Sequence, residues 1–253
     1  MIGIDLNADL GEGYGLYTFG SDEDLLESIS SANVACGYHA GDPHRMRETV
    51  ERCLARGIAV GAHPGLPDRV GFGRREMGVT PDEASDYVLY QTGALQAFVR
   101  AAGGTLGHVK LHGALYHMAT TDQAIADAIV QGLCRLDRSL MLFGLPGSRL
   151  EASANESGMA FVAEGFADRA YMQDGSLAPR RLPGAVLHDD RKAAEQAVML
   201  VMRGEASTID GGNVAVGVRT LCIHGDAPNA AERARTIRQA LEKNGVQIRR
   251  PKR

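Results

Sequence analysis

The sequence predicts a single-domain α/β protein: a TIM-barrel-like (β/α)7 barrel spanning residues 1–253. Three observations predict it. Short apolar, β-branched runs alternate with longer amphipathic runs, which argues for a parallel sheet. The short runs are apolar almost throughout, as in strands buried on both faces. No linker interrupts the alternation, and one barrel domain commonly occupies about 200–250 residues.

The predicted strands are Ile2–Leu6, Ala32–Cys36, Ile58–Ala62, Leu106–Lys110, Leu140–Phe143, Met159–Ala163 and Leu221–Ile223. Helix punctuation separates them. Ser21-Asp22-Glu23-Asp24 resembles a capping box ahead of Leu25 and Leu26. Asp42-Pro43 supplies an N-cap and a first-turn proline, and Gly57 a stop. Thr80-Pro81-Asp82-Glu83 opens a helix that runs to about Ala102. Further helices are predicted over Asp122–Leu136, Ser148–Ser157, Asp190–Arg203 and Ala230–Asn244. The glycine- and proline-rich stretch Gly61–Arg75 is too long for a plain connection, and predicts an ordered loop over a site.

Composition narrows the function classes. Hydrophobic residues make up 44% and charged residues 23%, which is ordinary for a globular chain. With 27 basic and 31 acidic residues the net charge is −4, so no basic field attracts nucleic acid or an anionic membrane. The basic tail Arg249–Arg253 is read as a solvated end. Cys36, Cys53, Cys134 and Cys222 form no CxxC pair and fit reduced thiols. The N-terminus shows no signal-peptide pattern, and no apolar stretch is long enough to span a bilayer. A cytoplasmic enzyme is therefore expected. The dinucleotide pattern GxGxxG after the first strand, the phosphate loop GxxxxGK[ST] and the GxSxG elbow are absent from the sequence.

In parallel α/β folds, ligands bind beyond the carboxyl ends of the strands. Those positions are where the ionisable residues collect. They carry Asn7, Asp9 and Glu12; then His39, Asp42 and His44; then His63, Arg74 and Arg75. Lys110 and His112 follow the fourth strand, Glu164, Asp168 and Arg169 the sixth, and His224 and Asp226 the last. Taken singly, Asp42 before Pro43 is more simply an N-cap, and Cys36 inside a strand a buried thiol. Gly144–Ser148 reads as a plain strand–helix turn. Two chemical readings of the collected groups are open. Carboxylates and imidazoles can move protons around a water that attacks a carbonyl, with Lys110 steadying the oxyanion. Alternatively Asp9 with His39, His63 or His112 can hold a divalent metal that activates the water.

Several blocks of residues resemble the LamB/YcsF family, that of the A subunit of prokaryotic 5-oxoprolinase. They are Asp5–Glu12, Ser31–Pro43, Gly61–Gly65, Gly71–Arg75, His108–Tyr116, Phe166–Tyr171 and His224–Asp226. They cover almost the whole chain. The resemblance implies ATP-dependent opening of the lactam 5-oxoproline to L-glutamate, with B and C partner subunits. It also implies a (β/α)7 barrel of the glycoside hydrolase/deacetylase-like kind, ATP binding by the complex, and a divalent metal by analogy with polysaccharide deacetylases. On this reading Asp9, His39, Lys110 and His112 stand near the reacting carbonyl. Asn7, Glu12, His63, Arg74, Glu164, Arg169, His224 and Asp226 bind or orient substrate. A metal, where bound, is held by Asp9, His39 and His112. ATP is spent by the partners, which phosphorylate the lactam. The alternatives are a stand-alone metal-dependent amidase and a non-catalytic subunit that binds a small carboxylate. The family usually has Cys where Ala8 stands, so no cysteine is needed there. It usually has Pro where Leu111 stands, which alters backbone freedom between Lys110 and His112.

Overall fold

The computed structural model describes residues 2–18, 22–223 and 229–252. The fold class is the predicted α/β one, a TIM-barrel-like (β/α)7 barrel with parallel strands. In chain order the elements begin β1 (Gly3–Leu10), α1 (Asp22–Leu26), β2 (Ser31–Ala35), α2 (Pro43–Ala55) and β3 (Ala59–His63). Next come α3 (Pro81–Ala101), β4 (Leu106–Lys110), α4 (Gly113–Thr121), α5 (Gln123–Leu136), β5 (Met141–Gly144) and α6 (Arg149–Glu156). The chain continues with β6 (Ala160–Phe166), α7 (Asp190–Arg203), β7 (Glu205–Ser207), β8 (Asn213–Ala215), β9 (Thr220–Ile223), α8 (Ala230–Lys243) and β10 (Gln247–Ile248). None of the described helices is long and apolar enough to cross a membrane.

The chain packs as two compact units. One holds residues 9–18 and 31–162, including β2 to β5 and α2 to α6. Here β2, β3 and β4 pair in parallel, and β4 pairs with β5. Every residue of β2 is buried, as both-face coverage of a parallel strand requires. The helices start where local chemistry sets them. The Asp42 carboxylate accepts from the N–H groups of His44 and Arg45 at 2.9 and 3.0 Å, so Asp42 is a cap. Thr80 and Glu83 form a complete capping box. Asp122 caps α5 and Ser148 caps α6. At Gly147 the backbone N–H is taken by the Glu151 carboxylate at 2.7 Å, which satisfies the turn internally.

The other unit holds residues 2–8, 22–30 and the described part of 163–252. Within it β9 pairs in parallel with β1 and β6, and β10 pairs with β1. Asp189 caps α7, and Gly204, left-handed at φ 67, ends it.

Several features differ from the sequence expectation. Strand β1 runs on to Leu10, so Asn7 and Asp9 lie within it rather than beyond it. Its period of two puts Asp5, Asn7 and Asp9 on one face, and that polar row masks an apolar strand pattern. Helix α4 follows His112 directly, with no side-chain cap to announce it. The β7–β8 antiparallel pair has three residues per strand, too short for a periodic signal. The basic tail is tied down, not merely solvated: Arg249 N–H donates to the Ile4 carbonyl, and an Arg219 guanidinium nitrogen to that of Lys252, at 2.9 and 2.6 Å.

Candidate functional site

Six of the predicted site residues meet inside the unit built on β2 to β5. Asp9 comes from the end of β1, and Glu12 follows Gly11, which is left-handed at φ 70. His39 sits in the turn after β2, closed by a bond from Gly37 N–H to the Ala40 carbonyl at 2.8 Å. His63 and Lys110 are the last residues of β3 and β4, and His112 stands just before α4. All six are buried.

Lys110 Nζ donates to Asp9 Oδ1 at 3.0 Å, and Asn33 Nδ2 donates to the same oxygen at 2.8 Å. Asp9 Oδ2 lies 3.3 Å from His63 Nε2. Glu12 Oε1 lies 3.4 Å from His39 Nε2 and 3.8 Å from His112 Nδ1. The His39 and His112 rings stack with centroids 3.7 Å apart and 2° between their planes. The His63 ring stands edge-on to both.

The loop after β3 folds over this group. His112 donates from Nε2 to the Phe72 carbonyl at 2.7 Å, and the Phe72 ring stands edge-on to His39 and His112. Asp68 holds the loop by accepting from Gly71 N–H and from the Arg75 guanidinium, each at 2.9 Å. Arg69 donates to the Gly37 carbonyl and stacks over the Tyr14 ring. At Gly65 an added Cβ would lie 2.7 Å from His39 Nδ1, so only glycine lets the loop approach this closely. The predicted freedom around Leu111 is restrained, because His112 N–H donates to the Pro64 carbonyl at 2.9 Å.

Burial sets the charge states. Burial first, then the His112 and His63 imidazoles, hold His39 well below its ordinary value. Burial first, then His63, pushes His112 down to about 3, although Asp9 and the Phe72 carbonyl oppose it. Neutral imidazoles are bases and metal ligands. Cys36 is buried and its thiol is pushed up to about 12 by desolvation, which makes it inert.

Two residues that the sequence pattern does not single out complete the group. His108, inside β4, donates from Nε2 to Asn33 Oδ1 at 2.8 Å, and so aims the Asn33 amide at Asp9. The His108 ring stacks on Phe143 with centroids 4.0 Å apart. Polar residues in otherwise apolar strand bodies are the available signal. Gly61 makes room for the ring: a Cβ there would fall 2.2 Å from His108 Nε2. Gly61→Ala is therefore expected to displace His108 and destabilise the fold by roughly 1–3 kcal/mol, as overpacking does. Urea unfolding checks it, and unchanged stability would contradict the tight fit.

The remaining predicted residues are placed otherwise. Asn7 donates from Nδ2 to Glu164 Oε1 and to Thr220 Oγ1 at 3.0 and 2.8 Å, and Thr220 in turn donates to Asp5 at 2.6 Å. These residues form a buried network in the unit that contains β9, with Glu164 inside β6 rather than after it. Arg169 in that unit is buried and holds the carbonyls of Ala178 and Ala185 at 2.5 and 3.3 Å. Asp168 takes the Arg233 guanidinium at 3.5 Å. Arg74 is exposed, its guanidinium 5.0 Å from the Phe72 ring centre. His44 is exposed beside Glu48. His224 and Asp226 lie outside the described residues.

Three imidazoles and a carboxylate suit a divalent ion of the zinc type. Ligand atoms of Glu12, His39, His63 and His112 all lie within 4.8 Å of one another. Both ring nitrogens of His39 are buried without a hydrogen-bond partner, which is costly unless something else engages them. The residues present therefore fit a metal. The fitting set has Glu12 and His63 beside His39 and His112, whereas the sequence expectation paired those two with Asp9.

A curated relative from Methylococcus capsulatus, named as the A subunit of 5-oxoprolinase, is 51% identical over 97% of this chain and 94% of its own. The crystal structure of a lactam utilization protein from Thermus thermophilus superposes with a TM-score of 0.94 at 49% identity, covering 98% of this chain and 99% of that one. A polysaccharide deacetylase from Bacillus cereus shares the fold alone: TM-score 0.53 at 11% identity, over all of this chain and 93% of that one. The LamB/YcsF family model matches residues 4–253, and the chain belongs to the LamB/YcsF family.

Proposed function

We propose that this chain opens the ring of 5-oxoproline to give L-glutamate, as the A subunit of a cytoplasmic ATP-dependent complex with B and C partners. The observation that carries the reading is the buried Lys110–Asp9 pair set beside three buried histidines. That arrangement can activate water and receive an oxyanion in one dry place. The names of relatives about half identical over nearly their full length supply the substrate.

The lactam is a resonance-stabilised amide and resists water. ATP is spent by the partners, which transfer a phosphoryl group to the lactam oxygen and release ADP. Water then adds to the ring carbon, the C–N bond breaks and the ring nitrogen takes a proton, which leaves an acyl phosphate; a second water splits that acyl phosphate into the carboxylate of glutamate and free phosphate. Asp9 accepts the proton of the attacking water, while Lys110 Nζ, held 3.0 Å from Asp9, faces the charge that develops on oxygen. Asp9 then gives that proton to the ring nitrogen, with His63 standing beside its carboxylate at 3.3 Å. Glu12, His39, His63 and His112 would hold a divalent ion, which when bound polarises the carbonyl and lowers the pKa of water. Arg74, Asn7, Glu164, Arg169, His224 and Asp226 stay among the substrate-orienting candidates.

A coupled glutamate-release assay tests the division of labour. The chain alone is expected to release no glutamate from 5-oxoproline, and the chain with B, C and ATP to release it steadily. Full-rate turnover by the chain alone would overturn the role of the partners. Chelator-sensitive hydrolysis of simple amides by the chain alone would instead support a stand-alone metal amidase, the reading that the Glu12–histidine group favours second.

A further inference from the structure

We infer that two backbone carbonyls fix which nitrogens bind the cation: His63 ligates through Nε2 and His112 through Nδ1, with the Phe72 carbonyl as the positioning group for His112. The inference rests on the reading of this site as a divalent-metal site and adds the ligand atoms and what sets them.

His63 Nδ1 lies 2.8 Å from the Lys110 carbonyl oxygen, and His112 Nε2 lies 2.7 Å from the Phe72 carbonyl oxygen. A carbonyl only accepts, so each contact uses a ring N–H. An imidazole that ligates a metal does so with one N–H, so the nitrogen left to ligate in each ring is the one not on a carbonyl, and it presents a lone pair. Those two nitrogens, His63 Nε2 and His112 Nδ1, face each other at 3.0 Å. Two lone pairs at that distance repel. A shared cation removes the conflict. Two carboxylate oxygens beside the pair also accept: Asp9 Oδ2 is 3.3 Å from His63 Nε2, and Glu12 Oε1 is 3.8 Å from His112 Nδ1.

The Phe72 carbonyl reaches His112 through an unfavourable backbone. Phe72 has φ 54, the only positive φ at a non-glycine among the described residues. Such a conformation is unfavourable for an L side chain and persists where its surroundings impose it. The surroundings here are specific. Gly73, at φ 62, has no room for a side chain: a Cβ would lie 2.7 Å from His39 Cβ and 2.9 Å from His112 Cδ2. Its carbonyl accepts from Ala114 N–H at 2.9 Å, which ties the loop to the start of α4. A group that orients a ligating histidine in this way is commonly worth 10–100-fold in metal affinity.

The test uses the full chain, stripped with chelator and titrated with Zn2+ or Co2+. Long-range 1H–15N spectra of the histidines are expected to show His63 as the Nδ1–H tautomer and His112 as the Nε2–H tautomer before metal. One equivalent of Zn2+ is then expected to shift His63 Nε2 and His112 Nδ1 as the bound atoms, while both N–H groups stay on their carbonyls. Gly73→Ala, which crowds the loop, is expected to weaken Co2+ binding about 10–100-fold in protein that keeps its far-UV circular dichroism. The reverse tautomers, metal shifts on the opposite nitrogens, a proton shared between the rings that one equivalent of Zn2+ does not displace, or unchanged affinity in folded Gly73→Ala each overturn the inference. If the alanine chain does not fold, the spectra of the unaltered chain decide alone. Glutamate release is not read here. Metal binding as described with no glutamate from the complete complex would sink the functional reading and leave this one standing.

Discussion

Lys110→Met is expected to cut glutamate release by the reconstituted complex about a thousandfold, in line with the loss of one preorganised oxyanion donor. It should also destabilise the chain by about 3–5 kcal/mol, because removing one partner leaves a buried carboxylate without its cation. The two consequences separate in a double variant. Asp9→Asn together with Lys110→Met removes both charges and keeps similar volumes; Asn at position 9 can still accept from the Asn33 amide through its side-chain oxygen. Buried pairs replaced together are often close to neutral in stability. Stability should therefore return to within about 1–2 kcal/mol of the parent while glutamate release stays lost. That split between denaturant unfolding and turnover separates the structural cost of breaking the pair from the part the pair takes in the reaction. Parental turnover in folded Lys110→Met protein would remove Lys110 from the reaction.

The reason Lys110 could be found from sequence is local. Leu106–Lys110 is an apolar run that ends in a charge, and strand β4 has those bounds. Asp42, Thr80, Ser148 and the helix Asp190–Arg203 were legible for the same reason, since caps and amphipathic periods are written in neighbouring residues. Features that depend on distant partners were not. The polar row Asp5, Asn7, Asp9 reads as the end of a strand, yet each residue finds a partner far along the chain: Thr220 for Asp5 and Asn7, Lys110 for Asp9. Glu164 and Arg169 have the residue types of a binding site, and the contacts they make, a buried side-chain network and two loop carbonyls, are not written in their neighbours. The contribution of Phe72 is a carbonyl, which its side chain does not advertise. His108 was visible as a histidine in a strand, and only its bond to Asn33 gives that position meaning.

His108 also dictates how the protein should respond to acid. Its imidazole is fully buried and is pushed down to about 3, by desolvation first and then by Lys110 and His63, with Asp9 opposing. In the unfolded chain a histidine titrates near about 6.5. Above that pH neither state binds the proton, and His108 adds no pH dependence. Below it the unfolded chain takes up a proton that the folded chain refuses, so stability falls as pH falls between about 6.5 and about 3. The slope from this one residue is about 1.4 kcal/mol per pH unit, and across the whole window it approaches about 5 kcal/mol, a large part of a typical domain's stability. His108→Gln retains a donor for Asn33 Oδ1 and does not titrate. Urea midpoints of chelator-treated protein from about pH 7 to about pH 4 should therefore decline less steeply in the variant, by about one proton's worth. A variant whose decline matches the parent would mean that His108 takes up its proton in the folded state. The Asn33 bond would persist, because an imidazolium keeps the same donor, and only its buried charge would be new.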